Sequence, residues 1–177
     1  MESGRHEHLA NAFRDHHQRV FEAAFRVTGS AAEAEDILQS VFLRILRRGD
    51  ASRSLDLGRD PVSYLCRAAI NAGLDVLRSR KRAPSVDLAQ VPEVSGDGIS
   101  IDEEVERAKL RTRLRAALSV LDSRAAEVIA LRYFEGYGNV EIAEMLDTSP
   151  SVIAVTLHRT RHRLKAELGV LEELNHE

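Results

Sequence analysis

The sequence contains no tryptophan, only 5% aromatic residues and a single cysteine among 177 residues. Because one cysteine cannot form an internal disulfide, we expect the protein to work in a reducing cytoplasm. Aromatic residues are few, and alanine, leucine, arginine and glutamate dominate, which favours an all-helical fold. We expect Cys66 to be a small buried hydrophobic residue and not a nucleophile.

Long hydrophobic runs are missing too: none approaches the length of a membrane span, and no signal peptide is visible. We therefore expect no insertion into a membrane. The sequence also shows no nucleophile–base set, no phosphate-binding loop and no metal-ligand spacing, and the adjacent His16 and His17 would diverge on a helix. An enzyme is the class of protein that we least expect, and we expect neither a metal nor a cofactor.

A net positive charge is also absent, since the chain carries a formal charge of −3. The charge is unevenly distributed, however. Residues 1–82 hold 14 Lys/Arg against 11 Asp/Glu, residues 83–100 hold none against three, and residues 101–177 hold 11 against 14. This distribution argues against indiscriminate coating of nucleic acid and allows a local basic surface, whose affinity for DNA would depend on a partner.

Three helical patterns follow one another closely between residues 121 and 168. Ser123 can cap the first of these helices, and Gly136 and Gly138 follow its end. A short helix over residues 139–146 comes next. The apolar positions expected to point inward are Ala125, Val128, Ile129 and Leu131 in the first helix and Val140, Ile142, Ala143 and Leu146 in the second.

The turn before the last helix has the chemistry of a helix-turn-helix motif. Asp147 tolerates a left-handed backbone, Ser149 can cap the helix, and Pro150 suits its first position. The helix would bury one stripe formed by Ile153, Leu157, Thr160, Leu164 and Leu168. Its other face holds Ser151, Ala154, Val155, His158, Arg159, Arg161, His162 and Lys165. This order of elements predicts DNA binding in a major groove.

The N-terminal half predicts two further helices before a loop over residues 49–60. The first would run over residues 8–28, and the second would begin at Ser30, with Glu33 completing a capping box. Leu43 is a candidate anchor for a partner because it lies on the polar face of the second helix. That face holds Asp36, Gln39, Ser40, Leu43, Arg44 and Arg47.

A third helix is predicted to start at Pro61, with Asp60 as its cap. The inner stripe would consist of Leu65, Ala69, Ala72 and Val76, widened by Ile70, Leu74 and Leu77. The opposite stripe, a candidate surface for phosphates and bases, holds Arg67, Asn71, Asp75, Arg78 and Arg82. Gly73 costs this helix about 1 kcal/mol relative to alanine, and nothing in the sequence explains its presence.

Residues 83–100 form a predicted linker, because they hold two prolines, two glycines and no basic residue. A helix starting near Asp102 would lead from this linker into the helix-turn-helix. Its apolar positions, expected to cover the bundle, are Val105, Leu110, Leu114, Leu118 and Leu121.

Three segments together resemble bacterial sigma factors of the sigma-70 family, extracytoplasmic-function (ECF, group 4) type. AEDILQSVFLRILRR (34–48) is similar to the family's segment for the clamp coiled coil of the polymerase β′ subunit, and SYLCRAAINAGLDVLRSRKR (63–82) to its −10 segment. EVIALRYFEGYGNVEIAEML followed by LHRTRHRL resembles its −35 domain. The resemblance implies a region 2-like domain over 1–82, an acidic flexible linker over 83–101 and a region 4-like domain over 102–177.

The resemblance also implies roles for individual residues. Contacts with core polymerase would come from Asp36, Gln39, Ser40, Phe42, Leu43 and Arg44. The −10 element would be bound and melted by Tyr64, Arg67, Asn71, Arg78, Arg80, Lys81 and Arg82, and a base would flip into a pocket shaped by residues 49–60. The −35 element would be read by Ser149, Ser151, Val152, Ala154, Val155, Thr156, His158, Arg159 and Arg163. Expected partners are core RNA polymerase (β′ clamp and β flap), promoter DNA and an anti-sigma factor.

The chain departs from the family pattern at three places. Tyr64 stands where the family usually has tryptophan, the usual entry to the third helix is missing in 49–60, and Ala154 and Thr156 replace basic residues of the recognition helix. We therefore expect a weak, A/T-tolerant −35 preference. Two alternatives stay open: an ordinary dimeric helix-turn-helix regulator, and a sigma-like interaction scaffold that has lost promoter recognition.

Overall fold

A computed structural model describes residues 2–49, 60–82 and 101–168, and it confirms the all-α expectation. Within these ranges every regular element is a helix. The helices are α1 (Glu2–Thr28), α2 (Ala31–Gly49), α3 (Pro61–Arg82), α4 (Ile101–Leu118), α5 (Ser123–Tyr133), α6 (Asn139–Met145) and α7 (Pro150–Leu168). The loop predicted over 49–60 and the linker predicted over 83–100 lie almost wholly outside the described residues.

Helices α1, α2 and α3 form an N-terminal bundle around a shared apolar core. Its centre contains the fully buried Val20, Val27, Leu65, Ile70 and Leu74. Each helix contributes one stripe at helical spacing, so the bundle buries the apolar faces and leaves the polar ones outside. The inner stripe of α3 is rotated slightly from the prediction, because Cys66 and Gly73 are buried whereas Ala72 and Val76 are only partly covered.

The turn between α1 and α2 explains why a glycine follows Thr28. Gly29 has a φ of +70°, a left-handed conformation that glycine adopts without strain. Ser30 then caps α2, since its Oγ accepts a hydrogen bond from the Glu33 amide at 3.4 Å. The predicted capping box is only half present, because the Glu33 carboxylate pairs with Arg80 of α3.

Gly73 lies where α3 crosses α1 at close range. A β-carbon at this position would lie 2.9 Å from Val27 Cγ1 and 3.1 Å from Val27 Cβ. Valine is stiff about χ1 and cannot move aside easily. Glycine is therefore needed here because the two helices approach each other closely, which the sequence alone did not reveal.

We expect Gly73→Ala to lower the free energy of unfolding by about 1 kcal/mol. Alanine favours a helix by roughly 1 kcal/mol over glycine, but overpacking a tight core costs about 1–3 kcal/mol. Urea denaturation followed by circular dichroism measures the balance. In a Val27→Ala background the same change should be neutral or stabilising. An equal loss in both backgrounds would show that Val27 is not the obstacle.

Helices α5, α6 and α7 form the predicted helix-turn-helix, with α4 packed beside them. Asp122, not Ser123, is the N-cap of α5: its carboxylate accepts a hydrogen bond from the Ala125 amide at 2.9 Å. The predictions for the turn are confirmed, since Asp147 has a φ of 50° and Pro150 is the first residue of α7. Ser149 Oγ accepts a bond from the Val152 amide at 3.4 Å.

Two apolar residues predicted to face inward point to solvent instead. Val140 on α6 is 58% exposed and Val105 on α4 is 43% exposed. The core of the C-terminal group is built by the other predicted residues, including Leu114, Leu118, Ile129, Ile142 and Ile153, all of which are buried. A seven-residue helix and the outer end of α4 offer too little neighbouring surface to cover every apolar side chain.

The two groups of helices contact each other chiefly where α5 lies against α3, and α4 adds a smaller contact with α3. Arg115 of α4 reaches across to α1, where its Nη2 donates to the Arg26 carbonyl at 3.3 Å. Burial, followed by the neighbouring Arg111 and Arg80, lowers the pKa of this guanidinium. It lies against Gly29, so a side chain there would displace it.

Candidate nucleic-acid interface

The outward face of α2 is the first candidate surface. The side chains of Asp36, Gln39, Ser40, Leu43 and Arg44 are all exposed on it. Leu43 is 49% exposed, and its neighbours on this face are all polar or charged. The face therefore offers one apolar anchor surrounded by polar and charged groups.

Phe42 differs from its neighbours because its side chain points into the bundle. It is only 7% exposed, and its ring packs edge-on against Phe13 of α1 with the ring centroids 4.9 Å apart. Phe13 also stacks on His17. Phe42 therefore packs α2 against α1. Its side chain has little exposed surface left with which to contact a partner.

The basic stripe of α3 is the second candidate surface, and part of it is covered by α5. Arg67 Nε donates to Glu127 Oε1 at 2.6 Å, and Asn71 Nδ2 donates to the same oxygen at 2.8 Å. Arg67 Nη1 also donates to the Met145 carbonyl at 2.7 Å. Glu127 is buried, so one carboxylate from the C-terminal group occupies both polar side chains.

The remaining polar residues of α3 divide into paired and outward-facing groups. Arg78 pairs with Asp75 at 3.0 Å on the same helix, although its Nη2 is buried without a hydrogen-bond partner. Arg80 pairs with Glu33 and donates to the Thr28 carbonyl at 3.2 Å, so it caps the end of α1. Tyr64, Lys81 and Arg82 are exposed.

The recognition helix α7 is the third candidate surface, and its outer face is uncovered. Its outward-facing residues are Ser149, Ser151, Val152, Ala154, Val155, His158, Arg159 and Arg163, with Thr156 partly covered. Val152 and Val155 are about half exposed, at 49% and 47%. The hydroxyl of Thr156 donates back to the Val152 carbonyl at 2.8 Å. The N-terminal half of the face therefore holds serines and small apolar residues, whereas its C-terminal half is basic.

Comparison with known proteins gives two family matches. Sigma-70 region 2 matches residues 12–83, and Sigma-70, region 4 matches residues 111–164. The ECF RNA polymerase sigma factor SigL of Mycobacterium tuberculosis is 31% identical over 169 residues, which is 92% of each chain. SigW of Bacillus subtilis is 26% identical over 158 residues, 85% of this chain and 83% of that protein. The RNA polymerase sigma-E factor of Streptomyces avermitilis is 30% identical over 149 residues, 84% and 78%.

This chain belongs to the sigma-70 family, as a sigma factor of the extracytoplasmic-function type. It directs promoter-specific initiation of transcription, as the sequence led us to expect. The region 2 match covers α2, α3 and most of α1. The region 4 match covers α5, α6 and most of α7. All three candidate surfaces of the sigma factor lie within these two matches.

Sequence reasoning missed the two acidic residues that hold region 4 against region 2. Besides Glu127, Glu135 follows α5 and reaches α1, where it accepts from Arg26 Nη1 at 2.8 Å and lies 3.8 Å from Arg19 Nη2. Its side chain is fully buried. No sequence signal marks either residue, because Glu127 three positions after Arg124 looks like an ordinary surface pair.

A hydroxyl contact completes the boundary between the two regions of the sigma factor. Tyr137 Oη lies 3.3 Å from Ser63 Oγ, and Ser63 donates in turn to Asp60, the N-cap of α3. The Ser63 hydrogen bond is the main cause that lowers the pKa of Asp60. Burial raises the pKa of Tyr137. The cap of α3 is thereby linked to region 4.

Cys66 is buried on α3, as predicted, and takes no part in these surfaces. Burial raises the pKa of its thiol to about 11, so the thiolate is scarce near neutral pH. Among the described residues there is no group of three or more histidine, cysteine or acidic side chains able to hold a metal ion. No helix in the described ranges is long and apolar enough to cross a membrane.

Proposed function

We propose that this sigma factor binds core RNA polymerase through the outward face of α2. The observation that carries the proposal is Leu43, a half-exposed leucine among exposed polar residues that the bundle itself does not use. An apolar anchor with a polar rim is the usual composition of a protein-binding hot spot. Gln39 and Arg44 flank the anchor, and we assign the site to the β′ clamp. The protein would accordingly work in the cytoplasm, where polymerase acts.

Region 2 would bind the −10 element through the polar stripe of α3. Arg67 and Asn71 lie one helical turn apart and project from the same face. An arginine can pair with phosphate or guanine, and an asparagine with adenine. Lys81 and Arg82, exposed at the end of α3, extend the positive surface along a nucleic-acid backbone. Melting would follow from capture of unpaired bases, whose binding energy offsets lost base pairing.

This −10 assignment is tested by transcription with reconstituted holoenzyme. Arg67→Ala and Asn71→Ala should each lower open-complex formation by about tenfold, because a good polar contact to DNA is worth about 1–3 kcal/mol. Run-off transcription and permanganate reactivity measure this loss. Glu106→Ala, an exposed change on α4, is the matched control. Normal promoter opening by both region 2 variants would remove these residues from the DNA surface.

Region 4 would read the −35 element through α7 with reduced selectivity. No cation occupies positions 154 and 156, whereas Ala154, Val152 and Val155 are exposed and apolar. Apolar groups recognise thymine methyls and cannot pair with guanine. The basic residues Arg159 and Arg163, farther along the same face, would contact phosphates and position the helix.

We therefore expect the −35 preference to be A/T-tolerant and weak. Recoding an A/T-rich −35 element into G/C pairs should lower run-off transcription several-fold, through loss of methyl contacts alone. Recoding A·T pairs into T·A pairs should change it little. Unchanged output after the G/C recoding would contradict the proposed readout, and it would favour a scaffold that binds polymerase without reading this element.

We further propose a contact between region 4 and the β flap of polymerase, and an anti-sigma factor as a regulator. The proposals rest on membership of the family. The chain offers a candidate face for the β flap in Val140, which is exposed on α6 beside the recognition helix. Pull-down with the isolated flap domain, with Val140→Asp as the variant, tests whether that valine belongs to a protein-binding surface.

A further inference from the structure

Arg80 differs from the other cations near the end of α3 because it lies on the opposite side of the helix. Arg78 and Arg82 belong to the outward polar stripe and are four residues apart. Arg80 instead shares a face with Gly73 and Leu77, which precede it by seven and three residues and are buried. Its side chain is therefore directed toward the N-terminal bundle and away from the surface proposed for DNA.

All three nitrogens of the Arg80 guanidinium donate to groups within the bundle. Nε donates to Glu33 Oε1 at 2.9 Å, Nη2 donates to Glu33 Oε2, and Nη1 donates to the Thr28 carbonyl at 3.2 Å. A bidentate arginine–carboxylate pair fixes the orientation of both partners, because two hydrogen bonds must form at once. Arg80 therefore ties the last turn of α3 to the end of α1 and the first turn of α2.

The turn that receives Arg80 is itself fixed by hydrogen bonds. Thr28 is fully buried, and its Oγ1 donates to the Ala24 carbonyl at 3.1 Å and accepts from the Ser30 amide at 3.3 Å. Ser30 Oγ accepts in turn from the Glu33 amide at 3.4 Å. Both partners of Arg80 thus have positions that are set independently of α3.

We propose that Arg80 is a positioning residue, which makes no contact with DNA itself and holds Lys81 and Arg82 where they can bind it. The inference rests on the proposed DNA role of Lys81 and Arg82, which are exposed at the same end of α3. The ends of helices fray, and a frayed turn would scatter these two charges. Cations that are already held in place lose less conformational entropy when they bind a phosphate backbone.

The same pair relates the proposed DNA surface to the proposed polymerase surface. Glu33 lies in the first turn of α2, and the outward face of that helix carries Gln39 and Leu43. Through Glu33, Arg80 sets the position of the basic end of α3 relative to α2. A polymerase bound to α2 would therefore find the DNA-binding cations at a defined place.

The test measures how salt weakens binding of the reconstituted holoenzyme to a fluorescein-labelled duplex with an unpaired A/T-rich bubble. The logarithm of the affinity falls linearly with the logarithm of the salt concentration, and each phosphate contact contributes about 0.9 to the slope. A variant that is merely less stable, but still folded and bound to polymerase, keeps the full slope. Circular dichroism and co-purification with core polymerase verify both conditions.

Glu33→Ala is the decisive variant, because an anion cannot bind phosphate. If Arg80 itself contacted DNA, removing Glu33 would free a cation and strengthen binding. We expect weaker binding instead, with the slope lowered by about one, since Lys81 and Arg82 lose their fixed positions. Glu35→Ala, which removes an exposed negative charge from the same helix, should leave the slope unchanged.

Arg80→Lys tests the same inference at constant charge. Lysine keeps the positive charge and cannot form the bidentate pair. We expect this variant to lower the slope as Glu33→Ala does, whereas a residue that served DNA only as a charge would tolerate the change. An unchanged or steeper slope with Glu33→Ala would overturn the proposal.

The double variant Lys81→Ala/Arg82→Ala separates this inference from the proposed DNA surface. A lowered slope with this variant, together with a full slope for Glu33→Ala, would keep the DNA surface and refute the positioning role. A full slope with the double variant would refute the DNA contact of Lys81 and Arg82, and the positioning role with it.

Discussion

Replacing Gln39 and Leu43 together by alanine is expected to weaken binding of core RNA polymerase by at least about tenfold while the chain stays folded. Both side chains are exposed, so their removal takes nothing from the bundle. Loss of a hot-spot side chain costs about 2 kcal/mol or more in a protein interface, and 1.4 kcal/mol already corresponds to a factor of ten. Titration of labelled core polymerase with the variant measures the loss.

Two controls make this result specific to the proposed surface. Val105→Ala removes a comparably exposed apolar side chain, 43% exposed against 49% for Leu43, from α4 in the other half of the chain. It should leave polymerase binding unchanged. Phe42→Ala should instead destabilise the N-terminal bundle by about 3–5 kcal/mol, because a buried aromatic ring is lost. Full binding by the Gln39/Leu43 variant would exclude the α2 face.

Ile153→Ala is expected to lower the free energy of unfolding of the C-terminal helices by about 2–5 kcal/mol. Ile153 is fully buried where α7 packs on the rest of the helix-turn-helix, and its truncation leaves a cavity. Such a loss is a large part of the total stability of a domain of this size. Guanidinium denaturation followed by circular dichroism measures it.

The neighbouring valines provide the matched controls for Ile153. Val152→Ala and Val155→Ala remove similar side chains that are half exposed, and each should change stability by less than about 0.5 kcal/mol. They should instead weaken −35 binding, because their methyl groups face the DNA in the proposed complex. Comparable losses of stability at all three positions would mean that the inward and outward faces of α7 are assigned wrongly.

Most of the fold could be predicted because it depends on periodicity and caps within single helices. Pro150, Asp147 and the stripe of Ile153, Leu157 and Leu164 lie as the sequence indicated. The bounds of the short helix were also nearly right. Such features are local, so they depend on residues only three or four positions apart.

The errors concern contacts between distant parts of the chain. The spacing of Val140 predicts an inward-facing position, but none of the described helices covers this side chain. The reason for Gly73 is Val27, which lies 46 residues earlier in the chain and packs against it where α1 and α3 cross. The pairing of Glu127 with Arg67 spans 60 residues and could not be read from either helix alone.

The sequence predicted some residues of the candidate surfaces and missed others, because it reports features within one helix and not contacts between helices. Exposure of Gln39 and Leu43 follows from the polar face of one helix, and the structure places both outside. Phe42 lies in the apolar run of the same helix, and the structure buries it. The pairing of Arg80 with Glu33 depends on a second helix, and the sequence did not mark it. Residue roles in binding polymerase or DNA depend on partners, and they remain predictions.

The most direct test of the central claim is co-purification of the full chain with core RNA polymerase, followed by run-off transcription from fragmented genomic DNA. The account predicts a stable complex and discrete transcripts whose start sites share an upstream −10 element. Absence of binding to core polymerase, together with a palindromic footprint on duplex DNA, would contradict it. That result would make the protein an ordinary helix-turn-helix regulator.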